Sequence, residues 1–160
     1  MTPVQVGIVM GSKSDRETMD KAAQVLKDFG VSYVMMVASA HRTPARVVRI
    51  AQRAEEEGWK ALIAGAGMAA HLAGFLAAHT VIPVIGVPMD SSSLNGIDAL
   101  LSTVQMPGGI PVACMGIGAA GAKNAALFAV EVLASHDPVL KEKLRSYRRE
   151  LAREIEESSI

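Results

Sequence analysis

The chain has 160 residues, half of them hydrophobic, with 16 Lys and Arg balanced by 16 Asp and Glu. That length suits one domain, able to bury roughly 70% of the surface an unfolded chain exposes. Zero net charge leaves no positive field for nucleic acid, 4% aromatic content offers little for base stacking, and the apolar runs are too short and broken to span a bilayer.

In chain order, short apolar runs alternate with helical periodicity. VQVGIVM from Val4 predicts a first strand. Met19, Ala22, Ala23, Leu26 and Phe29 then recur at helical spacing; Ser14 with Glu17 three residues on predicts a capping box, and Gly30 a stop. SYVMMVA from Ser32 predicts the second strand. Thr43 and Pro44 suit a cap and first turn for a helix that turns Val47, Val48, Ile50, Ala51 and Ala54 inward and stops at Gly58. KALIAG from Lys60, followed by a helix from Ala69, then IPVIGVP from Ile82 and IPVACMG from Ile110, complete five strands rich in Val and Ile, as buried parallel strands are. Strand and helix alternate to Ala134, so the expected fold class is α/β, a doubly wound parallel sheet forming a single domain over residues 1–160.

Residues 137–158 differ in kind. They are heavily charged, with Leu140, Leu144, Tyr147, Leu151 and Ile155 forming a stripe one residue wide. A helix lying on its own domain and a helix packing on a neighbouring subunit both fit such a stripe.

In an open α/β sheet, ligands bind beyond the carboxyl ends of the strands, where the strand order reverses. Four of those ends are polar or glycine-rich here: GSKSD (Gly11 to Asp15), SAHRTP (Ser39 to Pro44), GAGMAAH (Gly65 to His71) and PMDSSSLNG (Pro88 to Gly96). GSKSD lacks the glycine spacing of a dinucleotide fingerprint and of a Walker A loop. It does offer a glycine turn, two hydroxyls and the free amides of a helix start, which together can hold one phosphate group, with Asp15 left to accept from sugar hydroxyls. Arg42 adds a planar, permanently charged fork suited to phosphate.

His41 has no structural reason to sit beside Arg42 at a strand's carboxyl end. Its imidazole suits proton transfer near neutrality. A metal site fits poorly, because a helix from Ala69 would set His71 and His79 about 12 Å apart along its axis. His79 instead suits support of that helix's C-terminal end, His136 stands alone in a connection, and Cys114 lies in an apolar strand as a packing residue. Cys114 is the single cysteine, so no internal disulfide can form; the N-terminus also lacks signal-peptide features, and a reducing cytoplasm is the expected location.

The blocks MGSKSD, SAHRTP, IAGAG with AAHL, PVIGVP, TVQMPGGIPVA and GAKNAAL, in that order, resemble the PurE family of purine biosynthesis, the 5-(carboxyamino)imidazole ribonucleotide mutases, over nearly the whole chain. The resemblance implies a flavodoxin-like three-layer α/β/α fold, a homo-octamer with sites at subunit boundaries, and no metal, ATP, biotin or other cofactor. It also implies functional coupling to an ATP-dependent synthase that supplies the substrate. Position by position, the family's substrate-binding Ser, Asp and Arg fall on Ser12, Asp15 and Arg42, and its general acid/base on His41. Ser39, the turn Gly65, Ala66 and Gly67, and His71 match further site-lining positions.

The implied reaction moves a carboxyl group from the exocyclic nitrogen of an aminoimidazole ribonucleotide to a ring carbon. Met68, where many relatives have glycine, and Ala73, where many have proline, depart from the pattern; SSSLNG and GAAGAKN are local variants. Two other readings stay open: a direct aminoimidazole ribonucleotide carboxylase using carbon dioxide, and a non-catalytic module that binds a sugar phosphate. The carboxylase branch typically carries lysine after the loop histidine and a Ser-Asn-containing third loop. Arg42 and the run from Met68 to His71 fall on the mutase side.

Overall fold

Both faces of the central strands are covered, which is why their sequences are nearly continuous apolar runs. The computed structural model describes residues 3–158, so the outer ends of the expected 1–160 domain lie outside the described residues. Five strands, β1 (Val6–Met10), β2 (Tyr33–Val37), β3 (Ala61–Ala66), β4 (Val84–Pro88) and β5 (Ala113–Cys114), pair in parallel in the order β2-β1-β3-β4-β5. This is the expected flavodoxin-like order, with the direction of winding reversing between β1 and β3. Six helices accompany them: α1 (Arg16–Phe29), α2 (Pro44–Glu56), α3 (Leu72–Ala77), α4 (Ile97–Val104), α5 (Gly118–Ala134) and α6 (Pro138–Glu157).

Alternate strand residues supply two separate cores, as the two-residue period of a strand requires. Val6, Ile8 and Met10 of β1 and Ile63 of β3 pack with α1, α5 and α6, whereas Val9, Leu62 and Ala64 pack with α2 and α3. On the first face, Ala22 and Ala23 of α1 meet Ala122, Ala125, Ala126 and Ala129 of α5, small side chains that let two helix backbones approach. On the second, Trp59 closes over Gly7, where a side chain would strike its ring.

Several local expectations shift. The capping box is two residues earlier than predicted: Ser12, not Ser14, caps a single 3-10 turn (Lys13–Asp15) that leads into α1, with the Asp15 carboxylate accepting from the Ser12 backbone amide. Pro44 opens α2 as expected, but the Thr43 side chain makes no cap bond and turns back to Ser39. Val48 is half-buried rather than inward. The helix expected from Ala69 begins at Leu72; Met68 takes a left-handed backbone (φ 55°) and the His71 amide bonds the Ala69 carbonyl, a turn tighter than a helix. The fifth strand shrinks to two residues, since Pro111 cannot donate to a ladder and Ile110 is partly exposed.

The last helix divides its stripe. Asp137 caps it by accepting from the Val139 and Leu140 amides at 2.9 and 3.0 Å. Leu140 and Leu144 join the core, and Tyr147 meets the Phe29 ring edge-on at 5.6 Å between centroids. Leu151 and Ile155 lie further along and are exposed, Ile155 at 76%.

Two glycines test this packing. A methyl group on Gly65 would lie 2.6 Å from the Met19 sulfur and the Met89 methyl, both ends of flexible side chains, so Gly65→Ala should cost about 1–3 kcal/mol by urea unfolding. The nearest neighbour of a methyl on Gly121 is the Gly116 carbonyl, which is backbone and cannot swing away. Gly121→Ala should therefore lower the midpoint further than Gly65→Ala; an unchanged midpoint would contradict the described seat of α5.

Candidate active site

Beyond their carboxyl ends the strands continue their ladder by one bond. Gly11 N–H donates to Gly65 C=O, Ala38 N–H to Met10 C=O, and Met89 N–H to Ala66 C=O, each at 2.9 Å. Four loops therefore leave the sheet at the same height.

In the first loop the Ser12 hydroxyl accepts from the Ser14 amide at 3.3 Å and from the Ser14 hydroxyl at 2.9 Å. Both bonds use Ser12 as an acceptor, so its own proton can be given to an anionic ligand oxygen. Asp15 is only 6% exposed. One of its oxygens takes the Ser12 amide at 3.0 Å, and the other, 3.4 Å from the Ser14 hydroxyl, shares that hydroxyl's single proton with the closer Ser12 Oγ. Burial pushes the Asp15 carboxyl above its ordinary value, against the lowering effect of the Ser12 amide, the Ser14 hydroxyl and the nearby Arg42 charge. A carboxylate held against its own desolvation in a cleft is a functional candidate on physical grounds.

The second loop is built around Ser39. Its amide donates to Thr43 Oγ1 at 2.9 Å, and Thr43 Oγ1 donates back to the Ser39 carbonyl at 3.1 Å, which tightens the turn. Ser39 Oγ accepts from the Arg42 backbone at 3.2 Å and from Arg42 Nε at 3.4 Å, while Arg42 Nη2 donates to the Gly11 carbonyl at 3.0 Å. Arg42 thus ties the second loop to the first and presents its charge between Ser12 and Ser39.

In the third loop the His71 ring nitrogen Nδ1 lies 2.9 Å from the Ala69 carbonyl and 3.2 Å from His41 Nε2. A carbonyl can only accept, so the bond to Ala69 places a proton on Nδ1 of His71. The rings stand edge-to-face, 4.8 Å between centroids.

These loops enclose a cavity of about 610 Å³. Of the residues the sequence singled out, Ser12, Asp15, Ser39, His41, Arg42, Ala66, Gly67 and His71 all line it. Gly65 does not: it sits inside β3 beneath the floor, where its carbonyl anchors Gly11. Ser91 lines the cavity and was missed, although it falls in the polar run after β4; a side chain on Gly67 would collide with its hydroxyl. Cys114 lies off the cavity, partly buried, and burial pushes its thiol up, which fits packing better than nucleophilic work. His79 Nδ1 meets the Phe75 carbonyl at 2.8 Å, the helix-end support expected of it. Among the described residues no three His, Cys, Asp or Glu gather closely enough to hold a metal ion, and no helix is long and apolar enough to cross a membrane.

Comparison with known proteins agrees with this geometry. The chain is 60% identical over 149 residues to the N5-carboxyaminoimidazole ribonucleotide mutase of Pyrococcus abyssi, covering 93% of this chain and 84% of that protein. It is 50% identical over 156 residues to the mutase of the same name from Escherichia coli K12, covering 98% and 92%. Its fold superposes on the crystal structure of Treponema denticola PurE with a TM-score of 0.87 at 34% identity, over 96% of this chain and 94% of that one. Residues 5–154 match the family described as AIR carboxylase, and with relatives this similar over nearly full length the chain belongs to that family.

Proposed function

We propose that the protein converts 5-(carboxyamino)imidazole ribonucleotide to 4-carboxy-5-aminoimidazole ribonucleotide, as a mutase of purine biosynthesis. The observation that carries this reading is that His41 and Arg42, adjacent in sequence, face one cavity with Ser12 and Asp15 from a different strand end. Arg42 with the Ser12 and Ser39 hydroxyls anchors the phosphate, and Asp15 accepts from the ribose hydroxyls. Ala66, Gly67 and His71 border the imidazole end. His41, protonated at the start of the cycle, gives a proton to the exocyclic nitrogen as its bond to the carboxyl carbon breaks, which releases carbon dioxide and the neutral aminoimidazole. The electron-rich ring carbon then attacks that carbon dioxide, and His41 takes the proton the ring carbon loses. Atoms and charge balance without a further reactant.

The same proposal includes a homo-octamer, a cytoplasmic location and supply of the carbamate by an ATP-dependent synthase. Leu151 and Ile155, exposed at the far end of α6, suit packing on a neighbouring subunit, whereas Leu140, Leu144 and Tyr147 pack in the chain's own core. Residues 1–160 then act as one domain whose last helix serves both purposes.

The reading is tested with the carbamate as substrate and nucleotide triphosphate omitted. Conversion is expected at low bicarbonate, with only slow carboxylation of the bare aminoimidazole when bicarbonate is abundant. Equal efficiency with the bare aminoimidazole would place the protein among direct carboxylases.

His41→Asn should abolish turnover while leaving ribonucleotide affinity within about tenfold, because the proton carrier goes and the phosphate anchor stays. Normal turnover would remove His41 from its role.

Asp15→Asn separates binding from stability. A carboxyl whose native pKa is raised contributes stability that is full below the unfolded value near 3.8 and is lost as pH rises through the native value. The asparagine variant should lack that decline, so at neutral pH it should melt no lower than the wild type. It should nonetheless bind the ribonucleotide about tenfold or more weakly, since a hydrogen bond to a charged acceptor contributes about 1.5–3 kcal/mol. A lower melting temperature with unchanged affinity would show Asp15 to be purely structural.

A further inference from the structure

The loop from Gly67 to His71 holds a residue that local energetics disfavour. Met68 has φ 55°, a left-handed backbone that glycine adopts freely and a side chain resists. Its side chain is also 63% exposed, while Ala70 and Leu72, two and four residues further on, are 2% exposed. Neither core packing nor backbone preference accounts for a methionine here.

The loop cannot readily turn it elsewhere. Gly67 is pressed against Ser91, so closely that a side chain at 67 would collide with that hydroxyl, and the His71 ring is bonded back to the Ala69 carbonyl at 2.9 Å. Between these two fixed points Met68 lines the same cavity as His41, His71 and Arg42. Every other side chain of comparable size that is exposed at the cavity rim, namely His41, Arg42 and His71, is polar or charged. Met68 is the large apolar one.

Resting on the mutase reading, we propose that Met68 is a positioning residue that closes its thioether side chain over the imidazole ring and the carboxyl carbon in transit. The species to be held between the two bond changes is carbon dioxide, which is linear, uncharged and a poor hydrogen-bond acceptor. Polar walls bind it weakly and admit the water that carries it away as bicarbonate. A flexible, polarizable apolar side chain covers it and excludes that water. The lid changes no bond: the carbamate nitrogen–carbon bond breaks, the ring carbon–carbon bond forms, and both protons pass through His41 as before. What Met68 alters is the fraction of carbon dioxide that escapes before recapture. The left-handed backbone is the local strain that accompanies this placement, as strained residues at binding sites often do.

The experiment follows carbon. Wild type, Met68→Leu, Met68→Ala and Met68→Gly are given the unlabelled carbamate in carbon-13 bicarbonate with carbonic anhydrase, and two products are measured: label in the carboxylated product and free aminoimidazole ribonucleotide. Wild type and Met68→Leu should keep the original carbon and release little aminoimidazole. Met68→Ala and Met68→Gly should release several-fold more aminoimidazole per product formed, while their melting temperatures are not lowered. Met68→Ala retains the strained backbone and Met68→Gly relieves it, so a shared leak assigns the effect to the missing side chain. Equal partitioning in all four proteins would overturn the proposal, and so would a leak confined to Met68→Gly, which would point to loop flexibility. If the wild type fails to convert the carbamate at all, the mutase reading falls first and this inference with it.

Discussion

The hydrogen bond from the Gly11 amide to the Gly65 carbonyl joins the ends of β1 and β3 at the place where the sheet's winding reverses. Helices leave the two strands toward opposite faces there, so a crevice opens that no helix fills. The bond sets its depth. Gly11 leads directly to Ser12 and Asp15, and its carbonyl receives Arg42 from the neighbouring loop at 3.0 Å. A side chain on Gly65 would have to displace the Met19 and Met89 side chains, which already occupy that space. Ligand-facing groups from separate parts of the chain are thus referred to one backbone contact rather than to one another.

That arrangement explains which features could be read in advance. Strand cores and the inward faces of α1 and α2 follow from period-two and period-three-to-four spacing, and both kinds of spacing survive in the structure. The four polar strand ends were also legible, because parallel strands in one sheet bring their carboxyl ends to one edge. Contacts that depend on where a loop turns were not. Ser12 and Ser14 are alike in composition, and only the 3-10 turn decides that Ser12 caps and Ser14 donates to it. The His41–His71 contact joins positions far apart in sequence, and no periodicity links them. Gly65 was expected to line the site because it matches a site-lining position of the resembled family; its place inside β3 keeps it off the cavity.

The electrostatics of the site follow from unequal exposure. Asp15 is buried and its charge is disfavoured, whereas Arg42 and His41 are open to the cavity. A ligand with an anionic end and hydroxyls meets the cation first and the carboxylate deeper in. The two hydroxyls on the way, Ser12 and Ser39, are already engaged as acceptors by their own loops, so each is predisposed to act as a donor. Small changes in the loops would reverse that preference, which is why local capping matters here beyond stability.

The brevity of β5 has a consequence at the far side of the molecule. A parallel sheet has two open edges, and each row of unpaired amides and carbonyls is a template on which another chain can add a strand. Here one edge is reduced to Ala113 and Cys114, approached through Pro107, Gly108, Gly109 and Pro111. Proline supplies no amide to such an added strand, and two residues offer too short a ladder to hold one. The sheet therefore resists growth into larger aggregates from that side, so that association is left to side-chain surfaces such as the outer end of α6, where geometry can specify a finite assembly.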